Sequence, residues 1–190
     1  MGSYEESGKR IFDVVAASIA VAVLSPVLAA VGAAIKLEDR GPALFVQERT
    51  GRDGASFAIY KFRSMQVGTA SVPSGEIIAP SVTKVGKVIR RTNLDELPQL
   101  FNIVKGDMSV VGPRPPLPSQ TDIIRARYLS GALRLSPGLT GWAQVNSFDG
   151  MDALEKARYD EEYANSISFR LDLGIILRTF VYLLKPPPKY

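Results

Sequence analysis

Hydrophobic and polar positions divide the chain into distinct segments. From Val14 to Ile35 no charged residue occurs, and the run VVAASIAVAVLSPVLAAVGAAI is apolar on every side of a helical projection. At about 22 residues it is nominally long enough to cross a bilayer. A core helix would carry a polar stripe, and a cleaved leader would end in a small-residue processing context. The run fits neither, so a membrane helix is the expected element.

Ser25-Pro26 falls near the centre of this run. Proline removes a backbone donor and clashes with the preceding turn, which predicts a kink. Each half is about 10 to 12 residues, roughly 15–18 Å, too short to cross alone. Two paths are open: a kinked span, and a helix-break-helix that enters and leaves by one face. Lys9 and Arg10 precede the run while Lys36 and Arg40 follow it. Cations at both ends favour two cytoplasmic ends. Ser25 is placed to satisfy a backbone group that the proline frees.

A second patterned segment closes the chain. In Ser168 to Lys185, Phe169, Leu173, Ile176, Leu177, Phe180 and Leu184 fall on one helical face, with Arg170, Arg178 and Lys185 interspersed. It is too polar to span. It reads either as a helix packed on the core or as an amphipathic helix at a membrane interface.

Between these ends the pattern is that of a water-exposed α/β unit. Ala43–Gln47 and Ser56–Tyr60 read as short strands around the turn-rich Thr50-Gly51-Arg52-Asp53-Gly54. Val67–Pro80, rich in Gly, Ser and Pro, reads as a loop. Ser81–Arg91 reads as a helix with Lys84, Lys87, Arg90 and Arg91 forming a basic stripe, which by itself suits a solvated face. The acidic stretch Tyr159-Asp160-Glu161-Glu162-Tyr163 also reads mainly as a solvated helix face. The expected division is a tag-like or flexible start over 1–8, a membrane helix over 9–37 and a catalytic domain over 38–190.

Composition narrows the chemistry. The 190 residues contain no cysteine and no histidine. Disulfides, thiol nucleophiles, imidazole bases and Cys/His metal sites are thereby excluded. A metal would have to be a hard cation on oxygen ligands, magnesium first. The formal net charge of +4 suits phosphates or anionic lipid. No nucleic-acid-binding motif accompanies it, so no nucleic acid partner is expected.

Against that background one stretch stands out: Arg90-Arg91-Thr92-Asn93-Leu94-Asp95-Glu96-Leu97-Pro98-Gln99-Leu100. Two carboxylates directly follow the cationic stripe. Thr92 with Asp95 resembles a capping box, which would put Asp95 in the first turn of a helix. The helix terminus and the arginines would then favour its ionised form. Read alone, such a stretch is equally a plain N-cap with salt bridges. Downstream, Gly112-Pro113-Arg114-Pro115-Pro116 holds an arginine on a rigid backbone, suited to gripping a phosphate. Ser136-Pro137-Gly138-Leu139-Thr140-Gly141-Trp142-Ala143-Gln144-Val145 reads as an ordered loop with close backbone approach beside the single tryptophan.

Taken together, KRIFD (Lys9–Asp13), the Ser25-Pro26 break, YKFRSM (Tyr60–Met65), RRTNLDELPQL, NIVKGDMSVVGPRP (Asn102–Pro115) and PGLTGWAQV closely resemble the bacterial sugar transferases, the small monotopic polyprenyl-phosphate phosphoglycosyl transferases. The resemblance runs from about Lys9 to Lys185. It implies a mostly helical α/β fold with a re-entrant membrane helix broken at Ser25-Pro26 and amphipathic interfacial helices. It implies transfer of a phosphosugar from a UDP-sugar to undecaprenyl phosphate with release of UMP, the first membrane step of surface glycan synthesis. It further implies Asp95 as the nucleophile of a covalent phosphosugar intermediate, a magnesium requirement, and a seat on the cytoplasmic face of the bacterial inner membrane. It implies the minimal type, in which the additional N-terminal transmembrane helices of larger relatives are not expected.

The residue chemistry agrees with this. A carboxylate attacking a diphosphate meets like-charge repulsion and needs cations at the reacting phosphates. Lys61, Arg90, Arg91 and Arg114 are the candidates, with magnesium on Asp95, Glu96 or both. Asp95 is the expected nucleophile; Glu96 would ligate magnesium or handle the acceptor's proton. Asp107 and Gln144 are secondary candidates. A phosphatase or phosphotransferase working through an aspartyl-phosphate would carry a DxD-type loop after a strand, which is absent, and would release inorganic phosphate rather than UMP. A membrane-anchored scaffold with a dead site would be indifferent to Asp95→Asn. The sugar and the oligomeric state are not legible.

Overall fold

The computed structural model describes residues 4–69, 82–146 and 151–183. Its framework is helix α1, Lys9–Asp39, uninterrupted through Pro26. The expected break is therefore not a break in the hydrogen-bonded helix. Pro26 has no N–H to offer the carbonyl of Ala22, and Ser25 Oγ donates to that same oxygen at 2.9 Å. The serine thus satisfies the acceptor that the proline orphans. Tyr4–Gly8, within the expected flexible start, forms a π-helical turn leading into α1.

Both ends of α1 are tied to the rest of the protein. At its start Lys9 pairs with buried Asp172 at 2.7 Å, and Arg10 donates to the Ile103 and Val104 carbonyls. Asp13 Oδ1 accepts the Val110 amide. At its end Glu38 accepts the Lys84 and Val85 amides, and Asp39 pairs with Arg63. Between them, Ala17, Ala20, Val21 and Leu24 pack on Ile59, Leu100, Ile103 and Met108. Leu28, Val31 and Ile35 pack on Phe62 and Ile89. The opposite side leaves Ile11, Val15, Ile19, Val23 and Val27 outward at four-residue spacing, an apolar stripe with nothing packed on it among the described residues.

Strands β1 (Leu44–Thr50) and β2 (Ser56–Phe62) form an antiparallel hairpin, each two residues longer than the sequence pattern suggests. Helix α2 covers Lys84–Arg91, capped by the Thr83 side chain on the Gly86 amide. A 3-10 turn, Leu94–Glu96, leads into α3, Gln99–Lys105. β3 (Ser109–Val111) pairs in parallel with β4 (Gly138–Thr140), across α4 (Thr121–Leu129). Short α5 (Trp142–Val145), then α6 (Ala153–Ser166) and α7 (Phe169–Leu183), complete the described chain. The result is mostly helical with two small sheets.

Two sequence readings change at this end. Asp160 is not on a solvated face: it is buried and paired with Arg127 at 2.7 Å. Burial is tolerated because the guanidinium supplies the partner that water would otherwise provide. On α7, Phe169, Leu173, Leu177 and Phe180 do lie exposed together, but Ile176 turns toward the core of Val111, Tyr163 and Ile175. Leu184 and most of the Val67–Pro80 loop lie outside the described residues.

Candidate active site

The site forms where the β hairpin, the 3-10 turn and the Pro113–Pro116 segment meet. Thr92 does not start a capping box. It is the C-cap of α2, its hydroxyl donating to Val88 O at 2.8 Å, and Asn93 follows in the left-handed region at φ 54°. Asn tolerates that conformation better than most residues. The reversal sets Asp95 and Glu96 on a 3-10 turn ahead of α3, where Pro98 stands at the helix entrance with no amide to satisfy.

Glu96 is the hub. Its Oε1 accepts from Lys61 Nζ and from Arg114 Nη2, each at 2.8 Å. Burial by itself would raise the Glu96 carboxyl; Arg114 and then Lys61 outweigh it and hold the group well below the usual carboxylate range. Lys61, on β2, is pushed down from its ordinary value chiefly by burial, against support from Glu96. Asp95 goes the other way. Burial, then the neighbouring Glu96 charge, raises its carboxyl to about 6 despite Lys61 and Arg90. The expected bias of Asp95 toward its ionised form is thus reversed, because burial and then the adjacent Glu96 charge outweigh Lys61 and Arg90. Adjacent carboxylates whose environments drive their titrations apart are a signature of divided roles.

The remaining sequence candidates separate. Arg90 is half-buried and acts on Asp95 through its charge. Arg91 is exposed, with no ion pair among the described residues. Asp107 pairs with Lys105 at 3.0 Å and accepts from Asn102, a local structural role. Gln144 donates to Leu139 O at 3.3 Å within the β4–α5 turn. Among the described residues no three acidic side chains cluster to form a metal cage. The donor set is Asp95 with whatever of Glu96 its two cations leave free. That fits magnesium shared with substrate phosphates and water rather than a dedicated protein cage.

Several supporting residues escaped the sequence reading. Asn102, fully buried, accepts from the Tyr60 amide at 3.0 Å and donates to Ala58 O at 2.7 Å, so it fixes the strand that bears Lys61. Three donors hold the turn that bears Arg114. They are Arg127 Nη1 on Arg114 O, Arg49 Nη1 on Pro115 O and the Thr50 amide on Pro116 O, at 2.8, 3.2 and 3.0 Å. Gly138 and Gly141 lie against the same segment: a Cβ on either would come 2.1 Å from a Gly112 backbone atom, so only glycine fits. The close approach at Gly138 and Gly141 is the one expected of the Ser136–Val145 loop; Asn102, Arg127, Arg49 and Thr50 are polar for reasons far away in the chain, so local pattern carries no signal of them.

The comparisons with known proteins follow the same contour. A profile of the family described as bacterial sugar transferase matches residues 4–186. The chain is 42% identical over 194 residues to a UDP-glucose:undecaprenyl-phosphate glucose-1-phosphate transferase of Caulobacter vibrioides, covering 96% of this chain and 72% of that protein. It is 41% identical over 180 residues to the Escherichia coli protein of the same name, covering 90% of this chain and 39% of that one. It is 40% identical over 186 residues to a UDP-N-acetylgalactosamine-undecaprenyl-phosphate N-acetylgalactosaminephosphotransferase of Aeromonas hydrophila, covering 93% and 43%. The chain therefore spans less than half the length of the latter two proteins. Its own matched length, together with the Caulobacter relative, is decisive: the chain belongs to the bacterial sugar transferase family.

Proposed function

We propose that the protein transfers a sugar 1-phosphate from a UDP-sugar to undecaprenyl phosphate, with Asp95 as nucleophile. The observation that carries this is the pairing of one depressed and one raised carboxyl, Glu96 and Asp95, beneath Lys61 and Arg114. The names of the relatives supply the substrate class.

In the first step an Asp95 carboxylate oxygen attacks the sugar-bearing phosphorus of the donor. The bond from that phosphorus to the bridging oxygen breaks, and UMP leaves with the oxygen and its electron pair. In the second, a phosphate oxygen of the lipid acceptor attacks the same phosphorus, the acyl-phosphate bond breaks, and Asp95 is returned as carboxylate. Neither step needs a proton from the protein. Glu96, held far below neutrality, is a poor base. Its role is to hold Lys61 and Arg114 where charge builds up on the phosphoryl oxygens. Magnesium, held by Asp95 and the free oxygen of Glu96, would supply further neutralisation of the diphosphate.

The reading extends to topology. α1 is the one helix among the described residues long and apolar enough to cross a membrane by length and composition. Yet it is bound at both ends, about 45 Å apart at 1.5 Å per residue, by charged groups of one domain. A full crossing would require those ionic contacts on both sides of the bilayer. This supports monotopic attachment with α1 seated in one face rather than crossing, and use of a UDP-sugar donor would make that the cytoplasmic face of the inner membrane. The exposed apolar residues of α1 and α7 would then face lipid.

The test is intact mass after incubation with a panel of UDP-sugars before any lipid is added. Wild type should gain the mass of one phosphosugar and release UMP, and Asp95→Asn should do neither. If UMP appears only when lipid is present and no adduct can be trapped, the two-step route is wrong.

A further inference from the structure

Arg49 lies on β1 opposite Phe57 and belongs to none of the motifs from which the site was built. Its guanidinium reaches the turn that bears Arg114. Nη1 donates to Pro115 O and Nη2 to the Gln47 side chain, while Nε is buried with no acceptor among the described residues. An arginine carries five N–H donors in a rigid fork. Leaving a buried one of them unmet is costly unless something absent from the free protein meets it.

The charges around Arg49 point to what that is. It shares a field with Arg114, which repels it, and with Glu96, which attracts it; burial and then Arg114 push its guanidinium down to about 10. Lys61 belongs to the same cluster through Glu96. Lys61, Arg114 and Arg49 thus share a field with the two carboxylates Glu96 and Asp95, three cations to two anions. A half-buried cluster with surplus positive charge is complete only when an anion enters it. A mere brace for the Pro115 turn would need no such surplus, and would leave no donor unmet.

We propose that Arg49 is a third phosphate-binding cation of this site, taking with Arg114 and Lys61 the diphosphate of the nucleotide donor. The proposal rests on the donor reading given above. Its own content is that Arg49 recognises the second phosphate group and does more than support the turn.

The experiment uses the full chain in detergent and measures binding of UDP and of UMP by titration calorimetry, alongside melting temperature. Wild type should prefer UDP. In Arg49→Gln that preference should narrow by about tenfold, the size of one charge-assisted hydrogen bond, with UMP binding changed much less. Arg49→Lys, which keeps the charge and loses the fork, should fall between the two. Equal weakening of UDP and UMP in Arg49→Gln, or unchanged binding with a lowered melting temperature, makes Arg49 a brace and overturns the proposal. Should Arg49→Gln fail to fold, Arg49→Lys decides: a UDP preference equal to the wild type's overturns it as well. A wild-type protein that binds neither nucleotide sinks the donor reading and this inference together, a result distinct from all the others.

Discussion

Replacing Glu96 by Gln tests the electrostatic core of the site. The substitution keeps shape and removes one negative charge, leaving Lys61 and Arg114, both 2.8 Å from the same oxygen, without a counter-charge. Breaking a fully buried ion pair costs about 3–5 kcal/mol. Here the Lys61 and Glu96 side chains retain 17% and 19% exposure and Arg114 retains 52%. The Arg114 arm is therefore largely screened, which reduces the expected loss to about 2–3 kcal/mol. For a domain of this size that corresponds to a melting point lower by roughly 5–10 °C at pH 7. The sign with pH follows from linkage. Glu96 is held below its ordinary range, so its contribution is complete above the unfolded value and fades as pH falls below about 4.5. The difference between wild type and variant should therefore be constant from about pH 7 to 8, widen as protonation of Asp95 near 6 relieves its repulsion by Glu96 in the wild type, and shrink from about pH 4.5 toward pH 3. It should also shrink in alkali, where Lys61, already displaced downward, loses its proton in the variant. Thermal unfolding in detergent at a series of pH values measures this. Equal melting points at pH 7, or a difference that grows as pH falls below about 4.5, would refute the account of Glu96 as an ionised hub.

Further predictions are open to direct measurement. Asp95, raised to about 6, contributes stability that is present below its unfolded value near 3.8 and is lost as pH rises through 6, while the nucleophilic form is supplied only above that. Single-turnover UMP release should thus fall about tenfold per pH unit below 6, and a limb centred near 4 would contradict the burial argument. Asp160→Asn weakens the fully buried pair with Arg127, which also holds the Arg114 carbonyl; a loss of about 3 kcal/mol is expected, with a raised KM for the UDP-sugar in whatever protein remains folded. A variant with wild-type stability would mean that the pair is not buried in solution. Because the chain has no cysteine, single cysteines at Gly8 and Leu37 report topology. Both should resist a membrane-impermeant maleimide in spheroplasts and both should react after lysis, and labelling of either from outside would rule out monotopic attachment.

How far the sequence reached depends on the range of the interaction involved. The apolar run, the amphipathic last helix, the hairpin and the basic helix before Asp95 are matters of periodicity and turn chemistry, which act within a few residues and were legible to within two or three positions at most ends. The motif set identified the family, and with it singled out Asp95, Glu96, Lys61 and Arg114 as candidates, because the motifs follow one another in one order along the chain. Only the tertiary structure decided what their environments are. It turned Thr92 from a helix start into a helix end, and by burying Asp95 beside the Glu96 charge it reversed the charge bias expected there. It gave Glu96 two cations, from β2 and from the Pro113–Pro116 segment, that are 35 and 18 positions away. It buried Asp160 against Arg127, across 33 positions, and drew Asn102 and Arg49 into the support of the site. The physical reason is common to all of these: the state of a carboxylate or a guanidinium depends on how much water it keeps and which charge comes within a few ångströms. Both quantities are set by which distant segments the fold brings together.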